Sequence, residues 1–145
     1  MIVGIDLGTT TSLVAFMDGE RPEIIPNKGG KRLTPSIVGL DKGGQVHVGD
    51  TARNQLVSMP ERTVAEVKRL MGTDAKVALG DRSYTPQEIS GFVLKSLKDD
   101  AERYLEKAIE EAVITVPAYF TSRSRWTTRC SRSATSWRRS ATSSI

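Results

Sequence analysis

The first eleven residues, Met1-Ile-Val-Gly-Ile-Asp-Leu-Gly-Thr-Thr-Thr11, constrain the fold more than any other segment. A short apolar run, Ile2 to Ile5, ends on one carboxylate, Asp6. A Gly-Thr-Thr turn then leads into a second apolar run, Leu13-Val-Ala-Phe16. Two strands joined this tightly form a hairpin whose tip is lined with backbone N–H groups. A concavity of amides binds anions, phosphate above all. Asp6 would repel a bare phosphate, so a carboxylate at that place fits mainly beside a metal ion or its water shell. The segment reads as a phosphate clamp for a metal-bound nucleotide.

Further along, Glu23–Ile25 reads as a third strand of a meander, with Asp18-Gly19 as its hairpin turn. Asn27 to Arg32 is a loop with two glycines, and Pro35 biases Thr34 toward extended chain. Gln45–Val48 is a further short strand; within it the lone His47 reads as a solvated strand residue rather than a ligand. Asp50 is placed to cap a short helix through Leu56. A second helix is expected over Thr63 to Met71, with Gly72 as its stop. Thr85-Pro-Gln-Glu88 carries a cap, a proline at the first helical position and a capping-box glutamate. From there apolar residues recur at helical spacing to Ala108, which predicts a helix of about 20 residues. Ala112 to Pro117 is a last apolar strand. Strands, helices and a returning strand make an α/β domain.

Composition excludes several classes. At 145 residues the chain is long enough for one domain with one core, and no stretch approaches the ~20 apolar residues of a membrane span. No basic-then-apolar signal pattern opens the chain, so a cytoplasmic location and no membrane partner are expected. A single Cys130 excludes an internal disulfide and a cysteine metal cage. The net charge of +4 misleads until it is divided. Residues 1–120 hold 15 basic and all 17 acidic residues, whereas residues 121–145 hold six Arg and no acid. The basicity belongs to the last segment alone.

Four motifs occur in order: Gly4-Ile-Asp-Leu-Gly-Thr-Thr10, Thr34-Pro-Ser-Ile-Val38, Val67-Lys-Arg-Leu-Met-Gly72 and Val113-Ile-Thr-Val-Pro-Ala-Tyr-Phe120. In sequence and spacing they resemble the start of the ATPase domain of the seventy-kilodalton heat-shock proteins, the DnaK-type chaperones. The resemblance implies an actin-like ATPase (ribonuclease-H-like) fold, here an incomplete first lobe with a mixed sheet and packed helices. Residues 1–36 and 112–120 would form its core sheet and residues 37–111 an inserted subdomain. It also implies ATP and ADP as ligands with Mg2+, and K+ as a further cation. Asp6 would act through water on the magnesium, and the Gly8, Thr9, Thr10 and Thr11 amides would cradle the phosphates. The Thr9 hydroxyl would lie near the transferred group, and Lys68 would reach the terminal phosphate and position the attacking water. Pro117 would be the hinge proline that links nucleotide state to substrate affinity. Without the resemblance, Lys68 is one basic residue among 21 and Pro117 a strand terminator.

After Phe120 the motifs stop. Thirteen of the last 25 residues are Ser or Thr, and both tryptophans, Trp126 and Trp137, fall there. So abrupt a change is what a shifted reading frame followed by a chance stop produces. A basic arm for nucleic acid would also use Arg with interleaved Trp. Trp126, Cys130, Ala134, Trp137, Ala141 and Ile145 even recur at helical spacing, as in a cationic helix at a membrane surface. The thin apolar stripe and the Ser/Thr content favour instead a disordered tail, with no nucleic-acid partner. The helix that the family places after Phe120 covers apolar sheet surface. At ~25 cal/mol per Å2 its loss would remove several kcal/mol.

The function expected is that of an ATP-hydrolysing protein-folding chaperone, with turnover negligible for this chain alone. J-domain co-chaperones, a nucleotide exchange factor and unfolded polypeptides would be its partners, by resemblance. Two alternatives are a sugar or acyl kinase of the same superfamily, and a non-enzymatic binding protein acting through the Arg-rich tail.

Overall fold

Alternation decides the first strand: Val3 and Ile5 are buried while Ile2, Gly4 and Asp6 are exposed, so one face of the strand is core and the other is not. The computed structural model describes residues 1–115 and 127–129. In chain order the strands are β1 (Ile2–Asp6), β2 (Thr11–Asp18), β3 (Arg21–Ile24), β4 (Thr34–Pro35), β5 (Ile37–Leu40) and β6 (Val46–Val48). They continue with β7 (Thr63–Ala65), β8 (Val77–Leu79), β9 (Arg82–Tyr84), β10 (Glu111–Thr115) and β11 (Thr127–Arg129). Two α-helices, α1 (Asp50–Ser58) and α2 (Pro86–Leu105), and 3-10 turns at Pro60–Arg62 and Val67–Leu70 complete the elements. The fold is α/β with a mixed sheet and packed helices, as the sequence led us to expect.

The chain divides into two compact units. The first comprises residues 1–7, 13–32 and 97–145, and the second residues 8–12 and 33–96. One boundary between the units falls within α2, after Ser96.

In the first unit the strands run in the order β11-β10-β1-β2-β3. β1 and β10 are parallel, with Ile2 opposite Glu111 and Asp6 opposite Thr115; the other pairs are antiparallel. Val3, Ile5, Val14 and Ala112 on one face are buried, together with Leu97, Ala101 and Ile109. Phe16 meets Tyr104 with ring centroids 6.4 Å apart. The opposite face leaves Ile2, Met17 and Val113 more than half exposed. Glu102 accepts from the Ile109 amide at 2.9 Å and so ties down the segment that follows α2. Three residues of the Ser/Thr/Arg-rich tail, Thr127–Arg129, form the edge strand β11 on β10.

In the second unit, Thr11 and Ser12 of β2 pair with β4, β5 lies between β6 and β7, and β8 pairs with β9. The N-terminal half of α2 buries Ile89 and Val93, and Tyr84 meets Phe92 edge-on at 5.5 Å. The capping box at its start is present in both directions. Thr85 N–H donates to Glu88 Oε2 at 2.7 Å and Glu88 N–H donates to Thr85 Oγ1 at 3.2 Å.

Four local expectations are corrected. Thr63 to Met71 is not a helix: Thr63–Ala65 pairs with β5, and Glu66 turns left-handed (φ 56°), leaving only a 3-10 turn. Two β-branched residues, Thr63 and Val64, favour the strand over a helix. Asp50 does not cap α1; Gly49 holds the cap position, and Asp50 is the first helical residue, 3.8 Å from Arg53. His47 is not simply solvated, because its Nε2 lies 3.0 Å from Asp41 Oδ2 and the pair is half-buried. The helix α2 stops at Leu105 rather than Ala108, where Glu106 turns left-handed. Pro117, the Ala118 to Phe120 part of the fourth motif and the helical stripe from Trp126 onward lie outside the described residues, save Thr127–Arg129. Among the described residues no helix is long and apolar enough to cross a membrane.

Candidate functional site

The turn that ends β1 is too tight for any residue but glycine at position 8. A Cβ on Gly8 would run into the Thr11 carbonyl, a backbone group that cannot step aside. In the second unit, Gly8 is held at both ends of its own backbone. Its N–H donates to Ser12 Oγ at 3.2 Å, and its carbonyl accepts from Ser36 Oγ at 2.9 Å. Ser12 and Ser36 touch through their hydroxyls at 2.8 Å. The Ser36 N–H donates to the Thr10 carbonyl, also at 2.9 Å. The strand β4 thus clasps the turn from Thr34 to Ser36, with Thr11 opposite Pro35. Thr9 and Thr11 are half-buried and Thr10 is exposed.

The Gly8 amide is therefore committed inside the protein. Of the four amides expected to cradle phosphate, those of Thr9, Thr10 and Thr11 remain as candidates.

In the first unit, Asp6 ends β1 with its carboxylate exposed, and Thr115 Oγ1 donates to Asp6 Oδ1 at 2.7 Å. One carboxylate oxygen is thereby fixed by a hydroxyl from the neighbouring parallel strand. Among the described residues no group of three His, Cys, Asp or Glu could hold a metal directly. A lone, oriented carboxylate nevertheless fits Mg2+, which keeps several waters and takes one or two carboxylates plus substrate phosphates.

Lys68 belongs to the second unit with the turn. It lies on the 3-10 turn Val67–Leu70, not on a helix, and is only 7% exposed. Burying an ammonium is costly unless it meets partners, which marks Lys68 apart from the other lysines.

Sequence reasoning named the turn but not its braces. Ser12, Ser36 and Thr115 were the missing residues. The signal was available in two of them: a small hydroxyl at the head of an apolar run, Ser12 before Leu13-Val14 and Ser36 before Ile37-Val38, needs a hydrogen-bond partner once buried.

The profile of one protein family, described as Hsp70 protein, matches residues 2–134. The chain belongs to the Hsp70 family. Its fold is accordingly actin-like, and the match runs past Phe120 to take in β11. The chain is similar to the chaperone protein DnaK of Thermotoga petrophila, Thermotoga maritima and Thermotoga neapolitana, at 53% identity over 129 residues in each case. The aligned segment covers 88% of this chain but 22% of each relative, so the chain spans about a fifth of the length of the curated relatives it matches.

Proposed function

We propose that this Hsp70-family chain carries the phosphate-binding turn of an ATP-hydrolysing molecular chaperone. The observation that supports this best is the braced Gly8 turn, whose one internal amide is satisfied by Ser12 while Thr9 to Thr11 follow directly after it.

The chain's own residues divide the work. The Thr9, Thr10 and Thr11 amides donate to the nucleotide phosphates, and the Thr9 hydroxyl lies near the transferred phosphoryl group. Lys68 reaches the terminal phosphate, where a cation placed in advance stabilises charge as it develops and orients the attacking water. Asp6, held by Thr115, accepts hydrogen bonds from metal-bound waters. Bound Mg2+ neutralises charge on the phosphate oxygens. K+ is the proposed second cation. Pro117 is the proposed hinge of the switch between nucleotide states. J-domain co-chaperones, a nucleotide exchange factor and unfolded polypeptides are the partners proposed, in the cytoplasm, with nucleotide turnover driving a cycle of polypeptide capture and release.

The test is calorimetric titration of the 145-residue chain with magnesium ATP, ADP and adenosine, paired with a turnover assay. Binding should require the phosphates and weaken with Asp6→Asn and Lys68→Ala, while turnover by the chain alone stays negligible. Equal affinity for ATP and adenosine would sink the phosphate-turn assignment. Magnesium-dependent turnover lost in Lys68→Ala would show the chain to be catalytically sufficient, against expectation.

A further inference from the structure

Ser36 Oγ spends its single proton on the Gly8 carbonyl, 2.9 Å away. At its 2.8 Å contact with Ser12 Oγ it can then only accept, so Ser12 is the donor there. Ser12 Oγ in turn accepts from the Gly8 N–H. The hydrogen bonds run one way, from Gly8 N–H through Ser12 and Ser36 back to Gly8 C=O, and close on the residue where they began. Each bond polarises the next in the same sense. Ser12 is 1% exposed and Ser36 5%, so water has little access to compete.

Ser36 also holds the Thr10 carbonyl through its own N–H at 2.9 Å. In a planar trans peptide, the C=O of one residue and the N–H of the next point in opposite directions, and no cis peptide is present among the described residues. Drawing the Gly8 and Thr10 oxygens toward Ser36 therefore aims the Thr9 and Thr11 N–H groups away from it. The two carbonyl dipoles that would repel an anion are turned inward, and the donors face out.

We infer that Ser36 is a positioning residue of the phosphate turn. By holding back the Gly8 and Thr10 carbonyls, it makes the Thr9 and Thr11 amides the donors that an anionic pyrophosphate group meets. This rests on the nucleotide reading above and adds to it the residue that orients the turn.

Amide-resolved hydrogen exchange by NMR on the whole 145-residue chain, with and without magnesium pyrophosphate, tests the idea. Without ligand the Gly8 amide should be protected, and Ser36→Ala should speed its exchange by about tenfold or more. Amides in the β5–β7 pairing should keep their rates. With magnesium pyrophosphate the Thr9 and Thr11 resonances should shift. The apparent affinity should fall about tenfold in Ser36→Ala and largely recover in Ser36→Thr, which retains the hydroxyl. Equal pyrophosphate affinity in wild type and Ser36→Ala would overturn the role of Ser36 while leaving the nucleotide reading intact. No response of the wild type to pyrophosphate or ATP would overturn both. If Ser36→Ala fails to fold, Ser36→Cys puts a much weaker donor in the same place, and wild-type pyrophosphate affinity in that variant would overturn the inference.

Discussion

Two carboxylates on α2, only two residues apart, are driven in opposite directions by their surroundings. Burial raises the Asp100 carboxyl above its ordinary value, and the Arg103 guanidinium 3.0 Å away only partly opposes it. Burial would raise Glu102 as well. There the Ile109 amide and the Lys98 ammonium, 2.9 and 3.0 Å away, outweigh it and hold the carboxyl low. The consequences for stability have opposite signs. The Glu102 contribution is present above its unfolded-state value and lost as pH falls through the lowered folded value. For Asp100 the folded state keeps its proton longer, so stability is fullest below the unfolded value and declines as pH rises through the raised one. Glu102→Gln should therefore flatten the acid limb of the stability curve, and Asp100→Asn should remove the decline at higher pH. Urea midpoints across roughly pH 3 to 7 would check both; an unchanged acid limb in Glu102→Gln would refute the account. At this scale the sequence announced Asp6, Gly8 and the threonines through pattern alone. It could not announce Thr115 as the brace of Asp6, because that contact joins residues 109 positions apart and depends on a strand register.

The helix α2 was legible and the segment at Thr63 was not, for the same physical reason. Thr85, Pro86 and Glu88 carry their signal within one turn, so local chemistry is enough to start the helix wherever the chain goes. Thr85→Ala should remove the side-chain half of the box and cost about 1 kcal/mol, seen as a lower thermal midpoint with the helical circular-dichroism signal retained. Thr63–Ala65 owes its state to β5, its pairing partner, which begins 26 residues earlier at Ile37. Its apolar spacing matched a helix, but cross-strand pairing overrode the spacing. That override moved Lys68 from a helix face to a 3-10 turn. The hairpin β8–β9 escaped notice because three-residue strands are too short to show alternation, although the Gly80-Asp81 loop between them is a turn signal.

For the molecule as a whole, the sheet of the first unit is asymmetric in what it buries. Ile5 is 1% exposed on the covered face and Val113 58% exposed on the other. Ile5→Ala should cost about 2–5 kcal/mol and Val113→Thr no more than about 0.5 kcal/mol, measurable together by urea denaturation. Comparable losses would mean that the Val113 face is covered in solution. The sequence reading recovered the meander, the returning strand and the α/β class. One boundary between the two units passes through the middle of α2, where no change of composition marks it. The parallel pairing of β1 with β10 carries a cost in time. The strand that lies at the centre of its sheet is made first, and Ile2 waits for Glu111 before that edge can close. At roughly 5–20 residues per second, the interval during synthesis is about 6–20 seconds. Throughout it, a strand of Ile2, Val3 and Ile5 offers an open row of hydrogen-bonding groups to any other extended chain nearby.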